Sequence, residues 1–108
     1  MKRVFIPVAD AASLAEGQGR TVMAGNRALA LFRCEGEFLA VDDECTHKGA
    51  SLGAGLVRGA RVACPLHGWE FDLRTGACLS CPGRPLRAYA TRVVDGQVEV
   101  AVETSEAE

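Results

Sequence analysis

Histidine is nearly absent from this chain, with two in 108 residues, and aromatic side chains make up only 6%. Long apolar runs are missing too. No stretch approaches the roughly 18 residues of a membrane span, so no membrane is expected as a partner. The apolar part of "MKRVFIPVAD" is broken by Pro7 and ended by Asp10, short of the about 7–15 residues of a secretory h-region. Charge of one sign is lacking as well: the net charge is -2 and the basic residues are scattered, which argues against nucleic acid. A soluble, cytoplasmic protein is the expectation. In that compartment five cysteines point to metal or redox work rather than to a disulfide framework. The length suits one compact domain, burying about two-thirds of its unfolded surface, and is too short for two.

What is present is β-patterning. "RVFIPVA" sets Val4, Ile6 and Val8 on one strand face, and Gly25-Asn26 marks a two-residue hairpin between apolar runs. Glu35-Gly36 joins "ALALFRC" to "EFLAVD", and Gly59-Ala60 centres a short hairpin in "LVRGARVA". In "ATRVVDGQVEVAV" the Asp95-Gly96 pair suits a type I′ turn, with Val98, Val100 and Val102 alternating with Glu99 and Glu103 as a half-buried strand requires. Only "ADAASLAEG" reads as a short helix. The fold class is therefore all-β, a small antiparallel sandwich or barrel. The polar, acidic residues 103–108 read as a tail.

Both histidines sit beside a cysteine. Cys45 and His47 have C-x-H spacing, Cys64 and His67 have C-x-x-H spacing, and residues 48–63 separate the pairs. Each pair falls in a loop between strands, supplied with Gly49, Gly53, Pro65 and Gly68. Three readings compete. The cysteines are small core residues and the histidines surface ones; or the four bind structural zinc, although zinc sites usually run cysteine pair then histidine pair. In the third, two thiolates hold one iron of a cluster and two imidazoles the other. Each loop then gives one ligand to each metal, and the order interleaves as it does here.

The interleaved motifs resemble the Rieske proteins, and "CTHKGASL", "CPLHGWEFD", "RTG" and "PLRAYATRVVDGQVEV" follow in the order seen in Rieske-type ferredoxins. The resemblance runs from Val4 to Val102. It implies a single Rieske [2Fe-2S] domain over residues 1–102, with a cluster-binding part at about 43–85 built on two ligand loops. In it Cys45 and Cys64 hold the buried iron of one cluster, and His47 and His67 hold the outer iron. "CPGRPL" becomes a third, shielding loop. Imidazoles in place of two thiolates make the cluster less negative and raise its potential, and couple histidine proton loss to the redox state.

Departures from the respiratory Rieske subunits are informative. Their disulfide-forming cysteines are replaced by Ala50 and Leu66, and their Ser and Tyr hydrogen-bond donors by Trp69 and Phe71. With fewer donors to the sulfurs, the potential is expected near the low end of the Rieske range, about -150 mV. The resemblance then implies a one-electron carrier, not an enzyme, that takes electrons from a flavoprotein reductase. The acceptor is a terminal oxygenase such as a ring-hydroxylating dioxygenase or, alternatively, the large subunit of an assimilatory nitrite reductase. With both histidines on the cluster, a 2-His-1-carboxylate oxygenase site is excluded. Cys34 reads as a core side chain, and Cys78 and Cys81 as loop structure. Lys48 is either a solvated charge or part of a docking surface, and Trp69 lies either at that surface or packed inward.

Overall fold

The computed structural model describes residues 2–44, 51–65, 68–80 and 85–104. Ten strands account for almost all the regular structure there: β1 (Lys2–Asp10), β2 (Gly19–Ala24), β3 (Arg27–Cys34), β4 (Glu37–Asp42), β5 (Leu56–Arg58), β6 (Arg61–Ala63), β7 (Glu70–Asp72), β8 (Ala88–Tyr89), β9 (Thr91–Val94) and β10 (Gln97–Thr104). They form three antiparallel sheets, ordered β1-β10-β9, β2-β3-β4-β8 and β5-β6-β7. The all-β antiparallel expectation holds.

The second sheet is the middle layer. Along β3, "RALALFRC", successive side chains point to opposite faces, and both faces are buried. Leu29 and Leu31 join Val22, Ala24, Ala40, Val98, Val100 and Val102 in one core against the first sheet. Ala30, Phe32 and Cys34 join Val41, Leu52, Val62, Cys64, Phe71, Leu73 and Leu86 in the other, under the small sheet. An uninterrupted apolar strand is what burial on two sides demands. Val4, Ile6 and Val8 share the first core, although a register shift between Pro7 and Ala9 leaves Val8 out of the pairing with β10.

The hairpin turns form where their residues require. Asp95 and Gly96 have φ of 51° and 77°, and Glu35 and Gly36 have 54° and 78°, the paired positive angles of a type I′ turn. Glu35 adopts this conformation with outside help. The Glu16 carboxylate accepts the backbone N–H of Glu35 and, at 3.1 Å, that of Gly36, bonds that lower the Glu16 pKa.

Two expectations are corrected. "ADAASLAEG" makes only a 3-10 turn over Ala11–Ser13. Its backbone is committed elsewhere, with the Ala11 N–H on the Gly96 carbonyl at 2.9 Å and the Gly17 N–H on the Arg33 carbonyl at 2.6 Å. Such a short segment does not repay helix nucleation against those bonds. At the other end, β10 continues past Val102, pairing Glu103 with Arg3 and Thr104 with Lys2, so the strand takes up two residues expected in the tail. Residues 105–108 lie outside the described residues.

Candidate metal centre

Of the four expected ligands, Cys64 lies within the described residues. Cys45, His47 and His67 lie outside them, as do Lys48, Ala50, Leu66 and Cys81. What the structure does show is how each loop is rooted.

The second ligand loop springs from the β6–β7 hairpin. Cys64 follows Ala63 directly, and its N–H donates to the Trp69 carbonyl at 2.7 Å while its own carbonyl accepts the Gly68 N–H at 2.9 Å. Gly68 sits at φ 73° with nothing near its missing Cβ, so glycine is needed for the backbone angle rather than for space. Val62 and Cys64, two residues apart, both point into the second core, and Cys64 is only 3% exposed. Its thiol is free of any disulfide.

The first ligand loop is closed at its base. Glu44 and Ser51 form an antiparallel bridge around residues 45–50, and the Leu52 N–H donates to the Asp43 carbonyl at 2.7 Å. Leu52 is buried beside Cys64 and Phe71 in the same core. Gly55 then passes so close to β6 that a Cβ there would meet the Ala63 carbonyl oxygen at 2.5 Å. The chain leaving the first loop thus returns to β6, the strand that Cys64 follows.

Ahead of the third loop in the chain, Phe71 bridges Cys78, and the Leu79 N–H donates to the Glu70 carbonyl at 2.7 Å. The Glu70 N–H donates to the Ser80 hydroxyl at 2.8 Å. On the return side the Leu86 N–H reaches the Gly76 carbonyl at 2.7 Å. Residues 81–84 therefore follow one rooted segment and precede another.

The remaining side chains divide into interior and exterior. Cys34 is buried, and burial, then the nearby Glu16 and Glu35 carboxylates, push its thiol up to about 11. It stays protonated and inert, as expected of a core cysteine. Trp69 is half-buried and packs on the second core with Cys78, which favours the inward alternative for the indole. Phe71 is fully buried and has no hydroxyl to donate to a cluster sulfur.

Does this fit an iron–sulfur group? A buried cysteine with no disulfide partner, at the mouth of a glycine-shaped loop and against apolar neighbours, suits a thiolate ligand whose charge a metal neutralises. It does not suit a reactive surface thiol. The pattern of the Rieske [2Fe-2S] domain matches residues 4–90. This chain belongs to the Rieske [2Fe-2S] family. It is 46% identical over 81 residues to the ferredoxin subunit of anthranilate 1,2-dioxygenase from Burkholderia cepacia, covering 74% of this chain and 75% of that one. Among solved structures, the ferredoxin in the complex of reduced oxygenase and oxidized ferredoxin of carbazole 1,9a-dioxygenase superposes with a TM-score of 0.85. The two are 36% identical, with 94% of this Rieske chain and 96% of that one covered. A protein described as an NADH-dependent nitrite reductase small subunit from Mycobacterium tuberculosis gives 0.88 at 26% identity, covering 97% and 100%. The Rieske chain accordingly carries a Rieske-type [2Fe-2S] cluster and is an electron-transfer component rather than a catalytic enzyme.

The reading of the sequence overlooked the polar residues that root the first loop, Thr21, Asp43 and Ser51. They carry no ligand spacing and are far apart in the chain; only Asp43, shortly before Cys45, offered a hint.

Proposed function

We propose that this chain is a one-electron carrier that takes electrons from a flavoprotein reductase and delivers them to a terminal oxygenase, holding its cluster through Cys45, His47, Cys64 and His67. The observation that carries the choice of acceptor is the 36% identity, over nearly the whole length of both chains, to a ferredoxin seen in complex with its oxygenase. When bound, the cluster supplies reversible one-electron chemistry. The chain's own part is to keep Cys64 dry, to pin the loop roots so that little rearranges when charge changes, and to offer a partner surface. Buried Phe71 and Leu52 do the first. The backbone bonds around Cys64, Asp43 and Gly76 do the second.

The docking surface is the loop end of the small sheet, and Lys48, which lies outside the described residues, supplies the charge that attracts an acidic partner. Support comes from apolar area left in the open there: Leu56, paired with Ala63 beside Cys64, is 62% exposed, and Leu79 is 47% exposed. The chain through the end of β10 acts as one domain, a reading supported by the sharing of β3 between both cores, with the cluster-binding part at about 43–85. The cytoplasm is the proposed compartment, supported by the free thiols of Cys34 and Cys78. No helix among the described residues is long and apolar enough to cross a membrane.

The test is direct. Purified protein should contain two iron and two acid-labile sulfide per chain, in keeping with one [2Fe-2S] cluster. After reduction it should show the low average g-value of a histidine-ligated cluster. Stoichiometric zinc without sulfide would overturn the ligand assignment. Lys48→Glu should slow electron transfer to the oxygenase at low salt, with the difference shrinking as salt screens the charge. The fit to the nitrite reductase small subunit favours a second reading, a component docked on a large nitrite reductase. Co-purification with such a subunit, rather than with an oxygenase and a reductase, would establish it.

A further inference from the structure

One carboxylate oxygen gathers the whole root of the first ligand loop. Asp43 is the only charged residue among the buried ones described, at 9% exposure. Its Oδ1 accepts the Thr21 hydroxyl at 3.0 Å, the Ser51 hydroxyl at 3.1 Å and the Gly53 N–H at 2.9 Å. The Thr21 and Ser51 hydroxyls are themselves 2.9 Å apart. The three donors come from three places: β2, the far side of the loop, and the 3-10 turn Leu52–Ala54 that follows it. Meanwhile the Asp43 carbonyl accepts the Leu52 N–H.

Gly53 shows how tight the junction is. A Cβ there would lie 2.5 Å from the Thr21 hydroxyl and 2.6 Å from the Thr21 nitrogen. Only glycine lets the chain leaving the loop lie directly on β2. A buried carboxylate is costly unless fully bonded, and three donors on one oxygen make a charge-assisted knot much stiffer than three neutral bonds. Nothing in the packing of either core calls for a charge at this position. Its position does call for one: Asp43 and Ser51 flank the loop that carries Cys45 and His47.

We infer that Asp43, with Thr21 and Ser51, is a positioning device that clamps the first ligand loop to β2 and so sets the geometry and retention of the cluster. This rests on the ligand assignment proposed above for Cys45 and His47. The clamp acts through the loop and touches no reacting atom.

The experiment uses the holoprotein and the variants Thr21→Val, Thr21→Ser, Ser51→Ala, Asp43→Ala and Val100→Ala. Three readouts are taken on each: loss of visible absorbance under excess iron chelator, the spectrum of the reduced cluster by electron paramagnetic resonance, and the thermal midpoint. Asp43→Ala should release iron about tenfold faster or more, the scale of losses when outer residues orienting metal ligands are removed. Thr21→Val and Ser51→Ala should release it about threefold faster with a broadened or shifted spectrum, and Thr21→Ser should restore both. Val100→Ala, in the other core, should lower the thermal midpoint with no change in release or spectrum.

Thr21 is exposed, so its variants fold even if Asp43→Ala does not, and the Val/Ser pair then decides. Wild-type release and spectrum in Thr21→Val would overturn the clamp, whatever the thermal midpoint does. Equal acceleration by Val100→Ala would also overturn it, since release would then follow global unfolding. A wild-type protein without labile sulfide would overturn the ligand assignment and the clamp together, whereas an intact wild-type cluster indifferent to Thr21 overturns the clamp alone.

Discussion

The two halves of this molecule reach stability by different routes. In the sandwich formed by the first two sheets, β1, β3 and β10 run for eight or nine residues, and alternating valines and leucines fill the core between them. The other half, proposed above to bind the cluster, has strands of three residues, Leu56–Arg58, Arg61–Ala63 and Glu70–Asp72. So small a sheet is marginal by itself. It persists by leaning on the second face of β3, through Phe32 and Cys34, and by close backbone approaches at Gly53, Gly55 and Gly76. The lesson is that a long strand carries its own stability, while a short one borrows it from loops, neighbours and metal.

The sharpest way to break that contrast is to remove a proposed ligand. Cys64→Ala should abolish the cluster and, because metal binding and local folding are coupled, cost residues 56–80 most of their hydrogen-exchange protection while β3 and β10 keep theirs. Parallel loss in all three would show one cooperative unit.

Next in size is the converse. Leu31→Ala opens a cavity in the core of the sandwich and should cost about 2–5 kcal/mol, read as a lower denaturation midpoint with an unchanged cluster spectrum. A spectrum that changes along with stability would mean that the two halves are not separable.

A matched pair of glycines compares the halves more finely. At Gly76 a Cβ would lie 2.1 Å from the Leu86 carbonyl oxygen, and φ is 83°. At Gly96 φ is 77° but nothing lies within 4 Å. Gly96→Ala should therefore cost only the left-handed backbone penalty, about 1–2 kcal/mol. Gly76→Ala adds a clash with backbone that cannot move aside, so it should cost more and also speed chelator release. Equal effects would remove the distinction between borrowed and intrinsic stability at these turns.

The smallest expected effect is at Cys34, on the face of β3 that supports the cluster half. Its thiol is raised from 9.0 to about 11, chiefly by burial. A raised acid pKa means that the neutral form is preferred by the fold. The contribution is thus fully present below pH 9.0 and is lost as pH rises towards about 11. Cys34→Ala should flatten that alkaline decline slightly, as followed by denaturation midpoints across the window, and an unaltered decline would assign it to another group.

Legibility in the sequence follows the same division. The hairpins at Gly25-Asn26, Glu35-Gly36, Gly59-Ala60 and Asp95-Gly96 were readable because turn chemistry is local, and all four form. The segment "ADAASLAEG" misled because its helical look is also local, whereas its hydrogen bonds to Gly96 and Arg33, from Ala11 and Gly17, are not. At the centre, the C-x-H and C-x-x-H spacing was legible as ligand chemistry. Cys64 is found buried at a loop root, and the other three candidates remain outside the described residues.

By itself the residue order determined the class of the fold, its turns, and the family to which the ligand motifs belong. Each of these depends on neighbours a few positions apart: a period of two, a pair of turn residues, a cysteine and histidine in one loop. Only the tertiary structure decided that β3 serves two cores, that Trp69 packs on the second of them, and that Thr21, Asp43, Ser51 and Gly53 meet in one knot. Those facts depend on which distant segments are folded together. A threonine on an early strand gives no local sign that its hydroxyl will share an oxygen with a serine thirty residues later.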